Sequence, residues 1–168
     1  LSYYGDVNLM KGAIYAADYV TTVSPTYASE LHYDFYAHGL AGVIAANEHK
    51  LRGILNGLDT EKYDPWHDRK LERLYNAKQP NGKRDNKARL QEMAGLKVDP
   101  NIPVIGCVSR LASHKGFDLV VDALPEIMAL GVQVVVLGTG EWRYEEAFRQ
   151  AAFQYPNMFS AQIMYSDD

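Results

Sequence analysis

Cysteine is almost absent: Cys107 stands alone among 168 residues. No internal disulfide can form, and no Cys/His cluster has the spacing of a zinc site. The single thiol fits a reducing compartment. No apolar run approaches the ~20 residues that a membrane-spanning helix needs. Positive charge is not in excess either, with 17 Lys plus Arg against 21 Asp plus Glu and a net charge of −4. A mildly acidic chain lacks the broad basic face that grips nucleic acid. Internal repeats and low-complexity tracts are missing, and Leu1-Ser2-Tyr3-Tyr4 has no signal-peptide character. The dinucleotide fingerprint G-x-G-x-x-G fails after Gly138-Thr139-Gly140, because Arg143 occupies its third glycine position. That argues against half of a nicotinamide-dependent dehydrogenase. The phosphate loop G-x-x-x-x-G-K-[ST] fails as well, since Gly82-Lys83 is followed by Arg84. What remains is globular: 47% hydrophobic and 23% charged residues.

The first half alternates short elements. Residues 8–17 read as a helix with Asn8 as N-cap. Residues 19–23, β-branched at four positions, read as a buried strand. Ser24-Pro25 supplies an N-cap and a first-turn proline for the next helix. A further helix is expected over 40–50 and a short strand over 51–55, broken at Asn56-Gly57. The polar stretch 59–84 reads as connection plus one helical segment. Residues 86–94 read as a helix ended by Gly95.

Beyond Pro100 the pattern sharpens. Residues 104–108 are apolar without alternation, which predicts a strand covered on both faces. Residues 117–130 have helical periodicity, closed by Gly131. Residues 132–137 form a second apolar strand, 141–153 a helix and 161–164 a third strand. Strand, helix, strand, helix, strand is half of a doubly wound parallel sheet. The last residues, 162–168, follow directly on a strand, so the chain is expected to be a segment of a longer protein. An unfinished sheet leaves an edge and apolar faces open, and self-association or marginal stability is expected.

Ligands of open parallel sheets bind outside the carboxyl ends of the strands. Here those ends carry Ser109-Arg110-Leu111, Gly138-Thr139-Gly140 and Tyr165. Arg110 and Lys115 flank a loop that leads into a helix. Arg forks two oxygens, Lys adds a point charge and the helix start adds its dipole, a set suited to a diphosphate. The plainer alternative is two solvated surface cations. Gly138 and Gly140 permit close backbone approach to a ligand, or simply a tight turn. Tyr165 offers a flat face for a base, or ordinary packing. Asn56-Gly57 is on its own terms a turn. His114 reads as a neutral loop residue, Cys107 as a small core residue, and Lys83, Arg84, Lys87 and Arg89 as a solvated helix face.

Several runs together resemble one family, the bacterial glycogen synthases and plant starch synthases. They are Thr22-Val23-Ser24-Pro25-Thr26-Tyr27-Ala28, Leu55-Asn56-Gly57-Leu58-Asp59, Gly95-Leu96-Lys97-Val98, Val108-Ser109-Arg110-Leu111 with Lys115-Gly116, and Leu137-Gly138-Thr139-Gly140. The resemblance implies an α/β fold, part of a Rossmann-like GT-B glycosyltransferase. Residues 1–54 would end the N-terminal domain, 55–65 would be the interdomain hinge, and 66–168 would be the first βαβαβ half of the C-terminal nucleotide-binding domain. The implied reaction transfers glucose from ADP-glucose (UDP-glucose in some relatives) to the non-reducing end of an α-1,4-glucan with retention. Arg110 and Lys115 would be the catalytic cations on the diphosphate. Asn56 would face the sugar site, with Gly138, Thr139 and Gly140 at the substrate and Tyr165 stacked on adenine. The family's Gly-Tyr-His reads Met164-Tyr165-Ser166 here. No metal or other cofactor is implied, and the setting would be the bacterial cytoplasm, or a plastid for a plant source. A non-catalytic nucleotide- or glucan-binding module is the alternative.

Overall fold

The computed structural model describes residues 2–166, and Asp167 and Asp168 of the chain's last stretch lie outside them. Two compact units are present, Leu1–Asp59 and Thr60–Asp168, dividing inside the 55–65 stretch.

In the first unit a hairpin of β1 (Ser2–Tyr3) and β2 (Asp6–Val7) precedes α1 (Leu9–Ala16). Asn8 caps α1, its side-chain oxygen accepting the Lys11 N–H at 2.9 Å. β3 (Val20–Thr22) leads into α2 (Pro25–Glu30), where Ser24 Oγ accepts the Tyr27 N–H. Two short helices follow, α3 (Asp34–Ala37), which periodicity did not reveal, and α4 (Ala41–Ala46). The helix expected over 40–50 thus stops early. Asn47 is buried and donates its Nδ2 to the Val43 carbonyl, and the chain tightens into a 3₁₀ turn at Glu48–Lys50. An Asn side chain that bonds the backbone competes with helix continuation. β4 (Leu51–Gly53) then pairs parallel with β3.

The second unit opens irregularly. No helix forms between 60 and 81; Asp64, Asp68 and Asn76 instead accept backbone N–H groups two residues on, the mark of Asx turns. The expected helix inside 59–84 is therefore absent, and α5 (Gly82–Met93) begins four residues before its expected start.

β5 (Val104–Val108), β6 (Gln133–Leu137) and β7 (Phe159–Gln162) form a parallel sheet in that spatial order. Register pairs Val104 with Gln133, Val108 with Leu137, Val134 with Phe159 and Leu137 with Gln162. Between β5 and β6 one helix was expected over 117–130. Two occur, α6 (Phe117–Asp122) and α7 (Leu124–Ala129), because Pro125 has no N–H to give and crowds the preceding turn. α8 (Trp142–Gln154) joins β6 to β7. Gly95 and Gly131 end their helices at φ of +68° and +70°.

One face of the sheet carries the core: Val134, Val136 and Phe159 pack with Phe117, Leu124, Met128 and Phe148. The Phe148 ring lies 5.7 Å from that of Phe117 and 6.0 Å from that of Phe159. Burying each such side chain contributes about 1.5–3 kcal/mol. On the opposite face Gln133, fully buried, accepts from Gln91 Nε2 at 2.6 Å and donates to the Lys97 carbonyl at 2.7 Å. β6 is thus covered on both faces. β5 is not: Val108 is 77% exposed and Ile105 41%, against 0% for Val136. The expected two-sided burial of 104–108 fails because β5 pairs only with β6 and few side chains reach across it. An apolar run shows that a strand can be buried, not that it is.

Candidate functional site

Local geometry at the sheet's carboxyl edge builds a cleft. Past β5 the chain continues alongside the segment past β6. The Leu111 N–H donates to the Thr139 carbonyl at 2.9 Å and the Glu141 N–H to the Leu111 carbonyl at 2.7 Å. Gly138 and Gly140 make this approach possible. A Cβ at Gly138 would overlap the Ser109 carbonyl oxygen, and one at Gly140 would overlap the Leu111 backbone. Their first role is therefore to let one loop lie against its neighbour.

The result is a cleft of about 370 Å³ lined by Val108, Ser109, Arg110, Leu137, Gly138, Thr139, Met164, Tyr165 and Ser166. Every residue in it follows or ends one of the three strands. Four of the seven sequence candidates, Arg110, Gly138, Thr139 and Tyr165, come together here. Tyr165 lies three residues beyond β7, which ends at Gln162 and not at 164, and it is 79% exposed. Gly140 sits behind the cleft in the stitched loop. Leu111, expected at the crevice, is fully buried in the core. Lys115 is exposed on the 3₁₀ turn Ser113–Lys115, outside the cleft's lining. Asn56 belongs to the first unit, exposed in the irregular segment after β4, and does not line this cleft.

Among the described residues, neither Arg110 nor Lys115 has an ion-pair or hydrogen-bond partner for its side chain. His114 is exposed beside Lys115. Cys107 is half-buried against the core, and burial pushes its thiol above the ordinary range. Lys83, Arg84, Lys87 and Arg89 all lie on α5. Lys83 and Arg84 reach solvent, Lys87 donates to the Pro100 carbonyl, and Arg89 pairs with Glu92. No group of three His, Cys, Asp or Glu side chains among the described residues is arranged to hold a metal.

Sequence reading passed over two carboxylates. Glu141 Oε1 accepts the Ser113 N–H at 2.8 Å, and Glu145 Oε1 accepts the Gly140 N–H at 2.9 Å. The Ser113 N–H holds the Glu141 carboxyl below its usual range, with Arg143 adding to the effect. The available signal was two acids at the start of a helix that follows a glycine-rich turn.

Three parallel strands joined through helices, with a cleft at their carboxyl edge, define half of a Rossmann-like doubly wound sheet. Comparisons with known proteins narrow the class. Residues 1–46 match the family model of the starch synthase catalytic domain. The glycogen synthase of Alkaliphilus metalliredigens is 44% identical over 167 residues, which are 99% of this chain and 35% of that protein. That of Clostridioides difficile is 45% identical over 166 residues, again 99% of this chain and 35% of that protein. The solved catalytic domain of starch synthase IV from Arabidopsis thaliana, bound to ADP and acarbose, superposes with a TM-score of 0.84 at 35% identity. The match covers 96% of this chain and 33% of that one. The chain thus spans about a third of the length of the curated relatives it matches. Over nearly its whole length the chain is similar to the glycogen and starch synthases, and its mixed α/β fold with parallel sheets is that of a GT-B catalytic domain fragment.

Proposed function

We propose that this chain supplies the diphosphate-binding part of an enzyme that transfers glucose from ADP-glucose to the non-reducing end of an α-1,4-glucan with retention. One observation carries the reading: Arg110, a cation whose side chain has no partner among the described residues, stands in a cleft formed wholly at the carboxyl edge of three parallel strands. Breaking the glucosyl–phosphate bond leaves negative charge on the nucleotide diphosphate. A guanidinium set in place beforehand stabilises that charge most in the transition state. Lys115, on the same loop, adds a second cation when the turn carries it to the phosphates. Gly138 and Thr139 bring backbone to the substrate, with Gly140 holding the loop behind them. Tyr165 offers its face to the base, and Asn56 serves the sugar from the 55–65 hinge. Side-chain cations perform the role that a metal plays elsewhere, so the reaction is read as metal-free; its setting is read as the bacterial cytoplasm, or a plastid for a plant source. The ADP in the starch synthase IV structure supports ADP-glucose as donor over UDP-glucose. The open apolar flank of β5 supports self-association of the chain.

Calorimetric titration of the chain with ADP and UDP tests this. ADP binding that falls about tenfold or more in Arg110→Ala is expected, as for loss of a charge-assisted bidentate pair. Equal binding by both forms would remove the nucleotide reading. In the whole enzyme the same change is expected to cost on the order of 10²-fold in rate.

A further inference from the structure

The start of α8 grips the loop that carries Lys115. Glu141 does so twice, its N–H bonding the Leu111 carbonyl at 2.7 Å and its carboxylate taking the Ser113 N–H at 2.8 Å. These bonds bracket Ala112, the residue before the 3₁₀ turn Ser113–Lys115, and so set where that turn begins. The second carboxylate oxygen is itself fixed, 2.9 Å from an Arg143 Nη and 3.0 Å from its Nε. Arg143 lies over the Tyr144 ring at 4.5 Å, and Tyr144 packs on Phe117, the first residue of α6. The turn bearing His114 and Lys115 is therefore held at its entrance by Glu141 and at its exit by the Tyr144–Phe117 contact. Among the described residues the Ser113 N–H has no other acceptor, and a carboxylate accepting a backbone N–H is among the stronger hydrogen bonds available at a partly exposed site.

We propose that Glu141 is a positioning residue for the diphosphate site. It does not touch the phosphates; it holds the 112–116 turn so that the Lys115 ammonium is presented from one place. The inference rests on the nucleotide reading above. Without the carboxylate the turn samples other positions, and Lys115 pays ordering entropy each time nucleotide binds.

Amide hydrogen exchange and ADP titration on the 168-residue chain test this together, with Glu141→Ala, Glu141→Gln and Arg110→Ala. Glu141→Ala is expected to speed exchange at the Ser113 N–H about tenfold and to weaken ADP binding about five- to tenfold. Glu141→Gln keeps an acceptor oxygen and is expected to restore most of both, a rescue that general loss of folding would not show. Unchanged Ser113 exchange in Glu141→Ala overturns the proposal. So does faster exchange with ADP binding left intact while Arg110→Ala still weakens it, a result that leaves the nucleotide reading standing. ADP binding that is absent, or indifferent to Arg110→Ala, brings down the nucleotide reading and this inference with it.

Discussion

The two compact units are written in the same local grammar and differ in what they bury. In residues 1–59 both principal helices are capped as their sequence directs, by Asn8 and by Ser24 with Pro25. Yet the buried cluster there is only Ile14, Val43 and Ile44, with Val20, Leu31, Leu40 and Leu51 partly covered. Among the described residues of the second unit no α-helix has a side-chain N-cap bond. Its core nevertheless contains eleven buried residues around β6. Caps decide where helices begin, and each stabilises by about 1 kcal/mol. Buried aromatic and branched side chains decide how firmly a unit stands, because their contributions are larger and accumulate.

The sharpest way to break this contrast is Phe148→Ala. Phe148 is fully buried between two phenylalanine rings, and its loss is expected to cost about 3–5 kcal/mol in a denaturant titration followed by tryptophan fluorescence. Ile44→Ala in the first unit is expected to cost about 2 kcal/mol, since a small, partly open cluster collapses around the gap. It is also expected to leave ADP affinity unchanged. An Ile44→Ala cost as large as that of Phe148→Ala would refute the account of unequal cores.

Acid acts on the second unit in a defined direction. The Ser113 N–H holds the Glu141 carboxyl below the ordinary glutamate value of 4.5. The Asn101 N–H and Lys97 hold Asp99 below 3.8, and the Trp66 N–H and His67 hold Asp64 below 3.8. Each lowered folded-state pKa means that the unfolded chain binds its proton first as pH falls. Their contribution is complete above about pH 4.5 and is lost as pH drops through the folded-state values. Melting temperature measured from pH 6 to pH 2 is expected to fall in that window. A flat profile would show these hydrogen bonds absent in solution.

The smallest effect is expected at Tyr144. Burial raises its phenol pKa, and its buried hydroxyl has no hydrogen-bond partner among the described residues. Tyr144→Phe removes an unsatisfied group without changing ring packing, so a change within ~0.5 kcal/mol, or slight stabilisation, is expected in thermal melts.

Much of this was legible in the chain. Asn8, Ser24-Pro25, Gly95 and Gly131 mark helix ends through chemistry confined to a few neighbouring residues. The three apolar runs after Pro100 announce parallel strands, and the place of Arg110 and Gly138-Thr139 at their ends follows from the topology rule for such sheets. Other features resisted reading. Pro125 divides a helix that periodicity runs together, and Asn47 ends one by turning its side chain on the backbone. The 60–81 stretch is polar and helix-compatible by composition, but its Asp and Asn side chains close turns. Exposure of β5 and the grip of Glu141 on Ser113 depend on partners far along the chain, 28 residues away in the second case.

Sequence alone determined the alternation of strand and helix, the helix caps and the cations that follow the first strand of the sheet, because each depends on neighbours within about one turn or one pleat. Tertiary structure alone decided which strand lies at the centre, which candidates share a cleft and which carboxylate holds the Lys115 turn. Those outcomes rest on packing and hydrogen bonds between segments that meet only when the sheet assembles.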